Sequence, residues 1–392
     1  MATALDETLR KRDAALAQFW GPNQLVAGWN STNELARIVG SFAASTVLLI
    51  VDQHVAGDAV IRTAITGLRD KLALVVHEYD GGEPSLEKAG EVSARATGKI
   101  DVVIAIGGGS TIDIAKAVAL AKATAEPLAK FEGADRIAVT PVPLIAAPTT
   151  AGTGSEVTGS CVLTDEAGQR KISIRSPKLM PRMAILDPHF LVSVPRSVIR
   201  ATGVDALGHA LEAYFSAAGN ILTDTLALGA ISLLTKALPV YYQNPAARSA
   251  AEAMAWGSNM AGIAFNSARV GLAHAVASAI GPLTGFSHGL CVGLALPEAI
   301  RLNLRARADD SAKLLSHMDI RAHGDDWEAQ VCAAVAKLYS AVEFPLTARA
   351  AGATFDIDDG LIDRIISSGR LDTNPVIVGK ETLREVLNTI RG

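Results

Sequence analysis

The sequence predicts an α/β N-terminal domain with a parallel sheet over residues 1–195 and an all-α C-terminal domain over residues 196–392. Three observations carry this reading. In the first half, short apolar runs rich in β-branched residues alternate with helix-length segments, the pattern of βαβ units. Near Pro195 those runs stop and long Ala/Leu-rich segments take over. Between the two textures lie Pro188, Pro195 and Ser197, two chain breakers and a residue suited to cap a helix.

Taken in order, residues 46–51 form a compact apolar run, 58–71 a helix and 72–77 a second run. A helix at 86–97 follows, then a strand at 101–106 closed by Gly107-Gly108-Gly109, a helix at 110–123 and a short run at 144–147 before Pro148. Beyond the boundary, helices are predicted at 197–216, 223–238, 246–265, 270–280, 290–304, 328–342 and 380–391. Neither internal repeats nor low-complexity tracts interrupt the chain, and its alanines are ordinary helix filling.

Composition excludes several classes. With 392 residues, 49% hydrophobic and 19% charged, the chain has material for a large core, which rules out disorder as its main state. A net charge of −4 leaves no basic surplus for nucleic acid. Cys161, Cys291 and Cys332 are odd in number and far apart, which fits a reducing compartment rather than a disulfide framework. The strongest apolar runs, 47–51 and 102–106, are strand-length, so no bilayer-spanning stretch is expected. Residues 1–16 carry Asp6, Glu7, Arg10, Lys11, Arg12 and Asp13 and lack the apolar core of a signal peptide. The expectation is a cytoplasmic globular protein without membrane or nucleic-acid partners.

Four motifs carry chemistry. The run Gly107-Gly108-Gly109-Ser110-Thr111-Ile112-Asp113 follows a buried strand and opens a helix, whose free amides and dipole suit a phosphate. It is not the G-x-G-x-x-G fingerprint, and a glycine-rich turn without a ligand is the alternative. The second loop, 148–156, offers Thr149, Thr150 and Thr153 hydroxyls for ribose or phosphate. Two such loops at strand ends suggest one nucleotide outside the carboxyl edge of the sheet. Asp52, at the end of the first run, is placed to accept from ribose hydroxyls and to repel a 2′-phosphate, favouring NAD over NADP; a solvated turn acid is the alternative. Finally, Asp205 and His209, spaced i, i+4, share a helix face, and with His274 and His288 they are candidates for a four-ligand set for a divalent transition metal; core or surface histidines are the alternative. His54, His77, His189, His317 and His323 are read as structural.

Together, the GGGST-x-D turn, the TTAGTGSE loop, the GVDALGHALEAY helix and the late histidine pair resemble the iron-containing (group III) alcohol dehydrogenases over nearly the whole chain. The resemblance implies a dehydroquinate synthase-like α/β domain that binds a dinucleotide and a helical domain that binds metal and substrate. It places the metal, Fe²⁺ or alternatively Zn²⁺ or another divalent ion, on Asp205, His209, His274 and His288. It places the pyrophosphate of NAD, with NADP as the alternative, at Gly107, Gly108, Gly109, Ser110 and Asp113, and a second nucleotide loop at Thr149, Thr150 and Thr153. Lys171 matches a lysine that reaches the cofactor ribose, and Asp52 matches the acid that biases the family toward NAD.

Three departures from the family pattern stand out. Ser278 occupies a position where many members carry a further histidine, so a proton relay there needs water, a ribose hydroxyl or another residue. Arg370 replaces a cysteine that often precedes Thr373-Asn374-Pro375, and Arg269 stands where small or apolar residues are usual. Two such arginines suit a carboxylate, sulfonate or phosphonate on the substrate; surface or salt-bridge roles are the alternative. The expected function is a metal-dependent NAD(P)-linked alcohol dehydrogenase/aldehyde reductase acting on a small alcohol or aldehyde as a homo-oligomer, dimer or higher. Activity is expected to fall in acid as the ligand imidazoles protonate. The competing readings are a metal-free maleylacetate reductase-like enzyme, a relative of dehydroquinate synthase, a metal-dependent hydrolase and a non-catalytic nucleotide-binding protein.

Overall fold

The structure is a computed structural model and describes residues 19–21, 24–168, 170–321 and 326–392. The sequence readings at residues 1–16 and His323 lie outside the described residues. Two compact units divide the chain, Trp20–Ser193 and the remainder from Val194 to Gly392.

Among the described residues, the Trp20–Ser193 unit holds nine strands: β1 (Leu25–Ala27), β2 (Thr46–Asp52), β3 (Ala73–Tyr79), β4 (Val102–Gly107), β5 (Gly133–Ala134), β6 (Leu144–Pro148), β7 (Ser160–Asp165), β8 (Arg170–Arg175) and β9 (Met183–Leu186). Six of them form one sheet in the order β1-β9-β6-β4-β2-β3, every neighbour parallel. Both faces are covered, which is why these strands read as continuous apolar runs rather than alternating ones. Successive side chains leave on opposite faces. Leu48, Ile50, Val103 and Ala105 pack into one core layer with Ile112 and Val118 of the helix Gly109–Ala121. Val47, Leu49, Val51, Val102, Ile104 and Ile106 pack into the other with Ile61 and Leu68 of the helix Ala59–Arg69.

Strands β5, β7 and β8 make a second, three-stranded sheet. It, the edge strand β1 and its neighbour β9 were not expected. Strands β1 and β9 are too short to show a period, and they become strands only by pairing, Leu25 with Ala184 and Ala27 with Leu186. In the β7–β8 turn, Asp165 Oδ1 accepts from the Gly168 amide at 2.9 Å.

The unit from Val194 onward holds the long helices Arg196–Phe215, Ile221–Gln243, Arg248–Ala268, Leu272–Thr284, His288–Asn303 and Trp327–Ala341, and ends in Lys380–Arg391. Asp359–Ile366 and Ser311–His317 are further helices that sequence patterning did not find. Ser197 is not the cap of the first long helix; Pro195 is, and its carbonyl accepts from the Val198 and Ile199 amides.

The expectation that no stretch reaches spanning length is corrected by Ile221–Gln243, a helix of 23 residues long and apolar enough to cross a membrane by length and composition. Its apolarity has a packing cause. Ala227, Ile231, Leu234 and Leu238 line one buried face against the helices Arg196–Phe215 and Arg248–Ala268.

Candidate active site

Asp205, His209 and Glu212 lie at i, i+4 and i+7 on the helix Arg196–Phe215, so one face carries all three, and all are buried. His274, on the helix Leu272–Thr284, meets that face. Asp205, His209 and His274 each offer one ligand atom, and these atoms lie within 4.8 Å of one another. Asp205 Oδ1 and His274 Nε2 are 3.5 Å apart, and both are buried with no hydrogen-bond partner among the described residues. Unsatisfied polar atoms in the interior are costly, so such a pair fits a site built around a cation. His288 opens the helix His288–Asn303 at the margin of the cluster. Its Nε2 is 3.9 Å from Asp205 Oδ1, and its side chain is 46% exposed. Phe265 stacks on the His209 ring at 4.1 Å between centroids and shields it on that side.

Electrostatics differ sharply across the cluster. Burial pushes the His209 imidazole down to about 3, so its neutral ring offers a lone pair at ordinary pH. Burial also disfavours the His274 cation, but the nearby carboxylates of Asp205 and Glu212 outweigh it and raise this group to about 9. Asp205 stays below the usual carboxylate range: burial opposes its charge, and the three surrounding histidines outweigh that cost.

Sequence reasoning passed over Glu212 and took Asn374 only as part of a motif. Glu212 Oε2 lies 2.6 Å from His274 Nδ1 and accepts from the Gly271 amide, while Oε1 accepts from the Ala273 amide. Asn374 Oδ1 accepts from the Leu272 amide and from Asn303 Nδ2, and Asn374 Nδ2 returns a hydrogen bond to Asn303 Oδ1. Thr373 Oγ1 donates to the Val270 carbonyl at 3.1 Å. The Thr-Asn-Pro motif thus braces the start of the His274 helix. The available signal for Glu212 was an acid three residues after His209, on the helix face that already carries Asp205 and His209.

Ser278 donates to the His274 carbonyl at 2.8 Å, one turn back along its own helix. Arg269 is exposed and sits at φ 68° and ψ 178°, a backbone region that is nearly glycine-only. Its neighbours hold it there: the Ala268 carbonyl accepts from Ser216 Oγ, the Val270 carbonyl from Thr373 and Glu212 from the Gly271 amide. Arg370 is half-buried, and its amide donates to Ser368 Oγ.

In the Trp20–Ser193 unit, β2, β4 and β6 are adjacent and end together, Val51 beside Ile106 and Gly107 beside Pro148. Their carboxyl edge therefore gathers Asp52, Gly107, Gly108, Gly109, Ser110, Thr149, Thr150 and Thr153. The chain reverses its direction of travel across the sheet between β2 and β4, the kind of crevice where α/β sheets bind ligands. The Thr149 amide donates to the Gly107 carbonyl at 3.0 Å. A Cβ on Gly109 would lie 2.6 Å from Thr153 Cγ2, so only glycine lets the two loops touch. No side chain caps the helix that starts at Gly109.

Other expected nucleotide residues already have protein partners. Asp113 accepts from Ser155 Oγ at 2.7 Å and from the Val162 amide at 2.9 Å. Asp52 Oδ1 accepts from the His54 amide and lies 2.8 Å from His54 Nδ1. Lys171, on β8, pairs with Glu83 at 2.9 Å. The buried Lys116, which sequence reading did not single out, donates to Ser155 Oγ, Thr158 Oγ1 and the Ser160 carbonyl.

Known proteins resemble this chain in sequence and in fold. Residues 22–188 match the family described as iron-containing alcohol dehydrogenase, and residues 199–390 match the C-terminal part of the Fe-containing alcohol dehydrogenase family. An NAD-dependent methanol dehydrogenase of Bacillus methanolicus is 31% identical over 301 residues, 76% of this chain and 79% of that protein. The crystal structure of a 1,3-propanediol oxidoreductase superposes with a TM-score of 0.89 at 27% identity, covering 95% of this chain and 99% of that one. A sulfoacetaldehyde reductase from Bifidobacterium kashiwanohense, solved in complex with NAD+, superposes with a TM-score of 0.87 at 25% identity, covering 97% of this chain and 100% of that one. This chain belongs to the iron-containing alcohol dehydrogenase family and is an oxidoreductase acting on CH–OH groups.

Proposed function

We propose that the enzyme is a metal-dependent, NAD-linked alcohol dehydrogenase that also reduces aldehydes, with an anionic aldehyde or hydroxy compound as its preferred substrate. The observation that carries the metal assignment is the buried pair Asp205 Oδ1 and His274 Nε2, unpartnered and inside a three-residue donor cluster. Asp205, His209, His274 and His288 would hold the ion. An N₃O donor set suits Fe²⁺, and also Zn²⁺ or another divalent metal. Residues 1–195 form the dinucleotide-binding domain in this reading, and 196–392 the metal and substrate domain. The loop residues Gly107, Gly108, Gly109, Ser110, Thr149, Thr150 and Thr153 would bind the pyrophosphate and ribose. Asp52 and Lys171 would lie on the ribose side, and Asp113 would hold the loop in shape through Ser155.

When bound, the ion supplies Lewis acidity toward the substrate oxygen and the dinucleotide gives or takes the hydride. His209, kept neutral by burial, presents a lone pair without first losing a proton. Phe265, stacked on that ring, keeps water from its face. Ser278 is committed to the His274 carbonyl and is a poor proton buffer, so it is not the residue that would carry the alcohol proton. Arg269 and Arg370 are the residues proposed to meet the substrate anion, and the likeness to a sulfoacetaldehyde reductase supports that class. The reading includes a cytoplasmic enzyme assembled as a dimer or larger homo-oligomer.

The test is a spectrophotometric screen of NADH and NADPH against neutral, carboxylated and sulfonated aldehydes, run with a panel of divalent metals. Chelator-sensitive NADH oxidation restored by Fe²⁺ and fastest on an anionic aldehyde is the expected result. Turnover that persists after complete metal removal would transfer the chain to the metal-free reductase reading.

A further inference from the structure

We infer that Glu212 is a positioning residue that sets the tautomer and ring angle of His274, so that Nε2 faces the ion; this rests on the metal reading above. The argument is one of hydrogen-bond capacity. An ionised carboxylate only accepts. Glu212 Oε1 takes the Ala273 amide at 2.6 Å, and Oε2 takes the Gly271 amide at 2.9 Å and faces His274 Nδ1 at 2.6 Å. Two backbone donors hold the carboxylate in place, so Nδ1 must be the third donor and carry the hydrogen. On a neutral ring that leaves the lone pair on Nε2, the atom 3.5 Å from Asp205 Oδ1 and without a hydrogen-bond partner. A carboxylate behind a ligating imidazole raises its basicity and fixes its direction.

The arrangement depends on the backbone at the start of the His274 helix. A Cβ at Gly271 would lie 2.6 Å from Asn374 Oδ1 and 3.3 Å from Glu212 Oε1. Glycine there lets both acceptors reach consecutive amides, Glu212 taking residues 271 and 273 and Asn374 taking 272. Asn303, on the His288 helix, locks the Asn374 carboxamide through two reciprocal hydrogen bonds. The same brace therefore ties the helix of His274 to that of His288.

The test is the equilibrium affinity for Co²⁺, by chelator competition at fixed pH, with the visible absorption of the Co²⁺-loaded protein and the melting temperature of the metal-free protein. Glu212→Gln keeps the volume and one carbonyl acceptor but puts an amide donor in place of a carboxylate oxygen. It is expected to weaken Co²⁺ binding on the order of 10–100-fold and to shift the absorption bands. Wild-type affinity and spectrum in a folded Glu212→Gln protein would overturn the inference. A measurement that needs no folded variant is the ¹⁵N histidine spectrum of the Zn²⁺-loaded wild type. A proton on His274 Nδ1 is expected, and ligation through Nδ1 would overturn the proposal. Asp205→Ala controls for the underlying reading: undiminished Co²⁺ binding in that variant would remove the metal site itself, whatever Glu212 does.

Discussion

Lys116 Nζ lies 2.8 Å from Ser155 Oγ, and the same hydroxyl lies 2.7 Å from Asp113 Oδ1. This chain of contacts ties the helix after the triple glycine to the Thr/Gly loop, inside the protein rather than at its surface. Burial lowers the Lys116 ammonium and raises the Asp113 carboxyl, and the attraction between the two charges opposes both shifts. Lys116→Met leaves Asp113 uncompensated and should cost about 3–5 kcal/mol in urea unfolding. Adding Asp113→Asn should recover part of that loss. A single variant as stable as wild type would show that the pair does not hold the loops.

Gly109→Ala tests the contact between the two loops. The new methyl would press on Thr153, 2.6 Å from its Cγ2, and push the loops apart. The expected outcome is NADH binding weakened about tenfold, equivalent to ~1.4 kcal/mol, read by NADH fluorescence. Thr153→Ser in the same chain removes the crowded methyl but keeps the hydroxyl at 2.8 Å from the new Cβ, and should restore part of the affinity.

His274→Ala should abolish both metal content and turnover, measured by elemental analysis and NADH oxidation. The imidazole removed is the one that faces Asp205 across 3.5 Å. Chelation of the wild type should reproduce the loss, and Fe²⁺ should reverse it. Turnover by the His274→Ala protein would contradict the role assigned to the cluster.

Arg370→Ala addresses substrate charge. A charged hydrogen bond contributes about 1.5–3 kcal/mol, so KM for carboxylated or sulfonated aldehydes should rise by at least about tenfold while KM for butanal stays unchanged. Equal changes for both would remove Arg370 from the anion pocket.

The pH dependence of stability has one clear contributor outside the site. Asp101 is held at about 2 by a hydrogen bond from Lys99 and by the Ser45 and Thr46 amides at the start of β2. A carboxyl whose folded pKa is depressed stabilises above its unfolded value, near 3.9, and loses that contribution as pH falls toward the folded value. Asp101→Asn should therefore melt lower than wild type at pH 7, and the gap should close between about pH 4 and pH 2. A gap that stays constant over that window would show that the charge is not the cause.

Much of the fold was legible because its cause is local. The predicted run 46–51 is β2, Thr46–Asp52, and the predicted strand 101–106 is β4, Val102–Gly107. A strand buried on both faces must be apolar throughout, and that shows in a few residues of sequence. Strands β1 and β9 carry no such signal, since three or four residues have no measurable period and their identity comes from the neighbour they pair with. The apolar helix Ile221–Gln243 was misjudged for a related reason: composition records apolarity, but not which neighbour covers it.

The site divides along the same line. Residue chemistry and helical spacing alone placed Asp205 and His209 on one face, because four residues is a little more than one turn. The arrival of His274 opposite them, with His288 at the margin, is a matter of how three helices pack. Glu212 meets His274 across 62 positions of chain, and Asn374 meets Asn303 across 71. Hydrogen bonds of that reach depend on side-chain directions that no local pattern encodes. The amino-acid order by itself determined which groups were available and which faces were apolar. Tertiary packing decided which buried atoms were left facing each other without a partner.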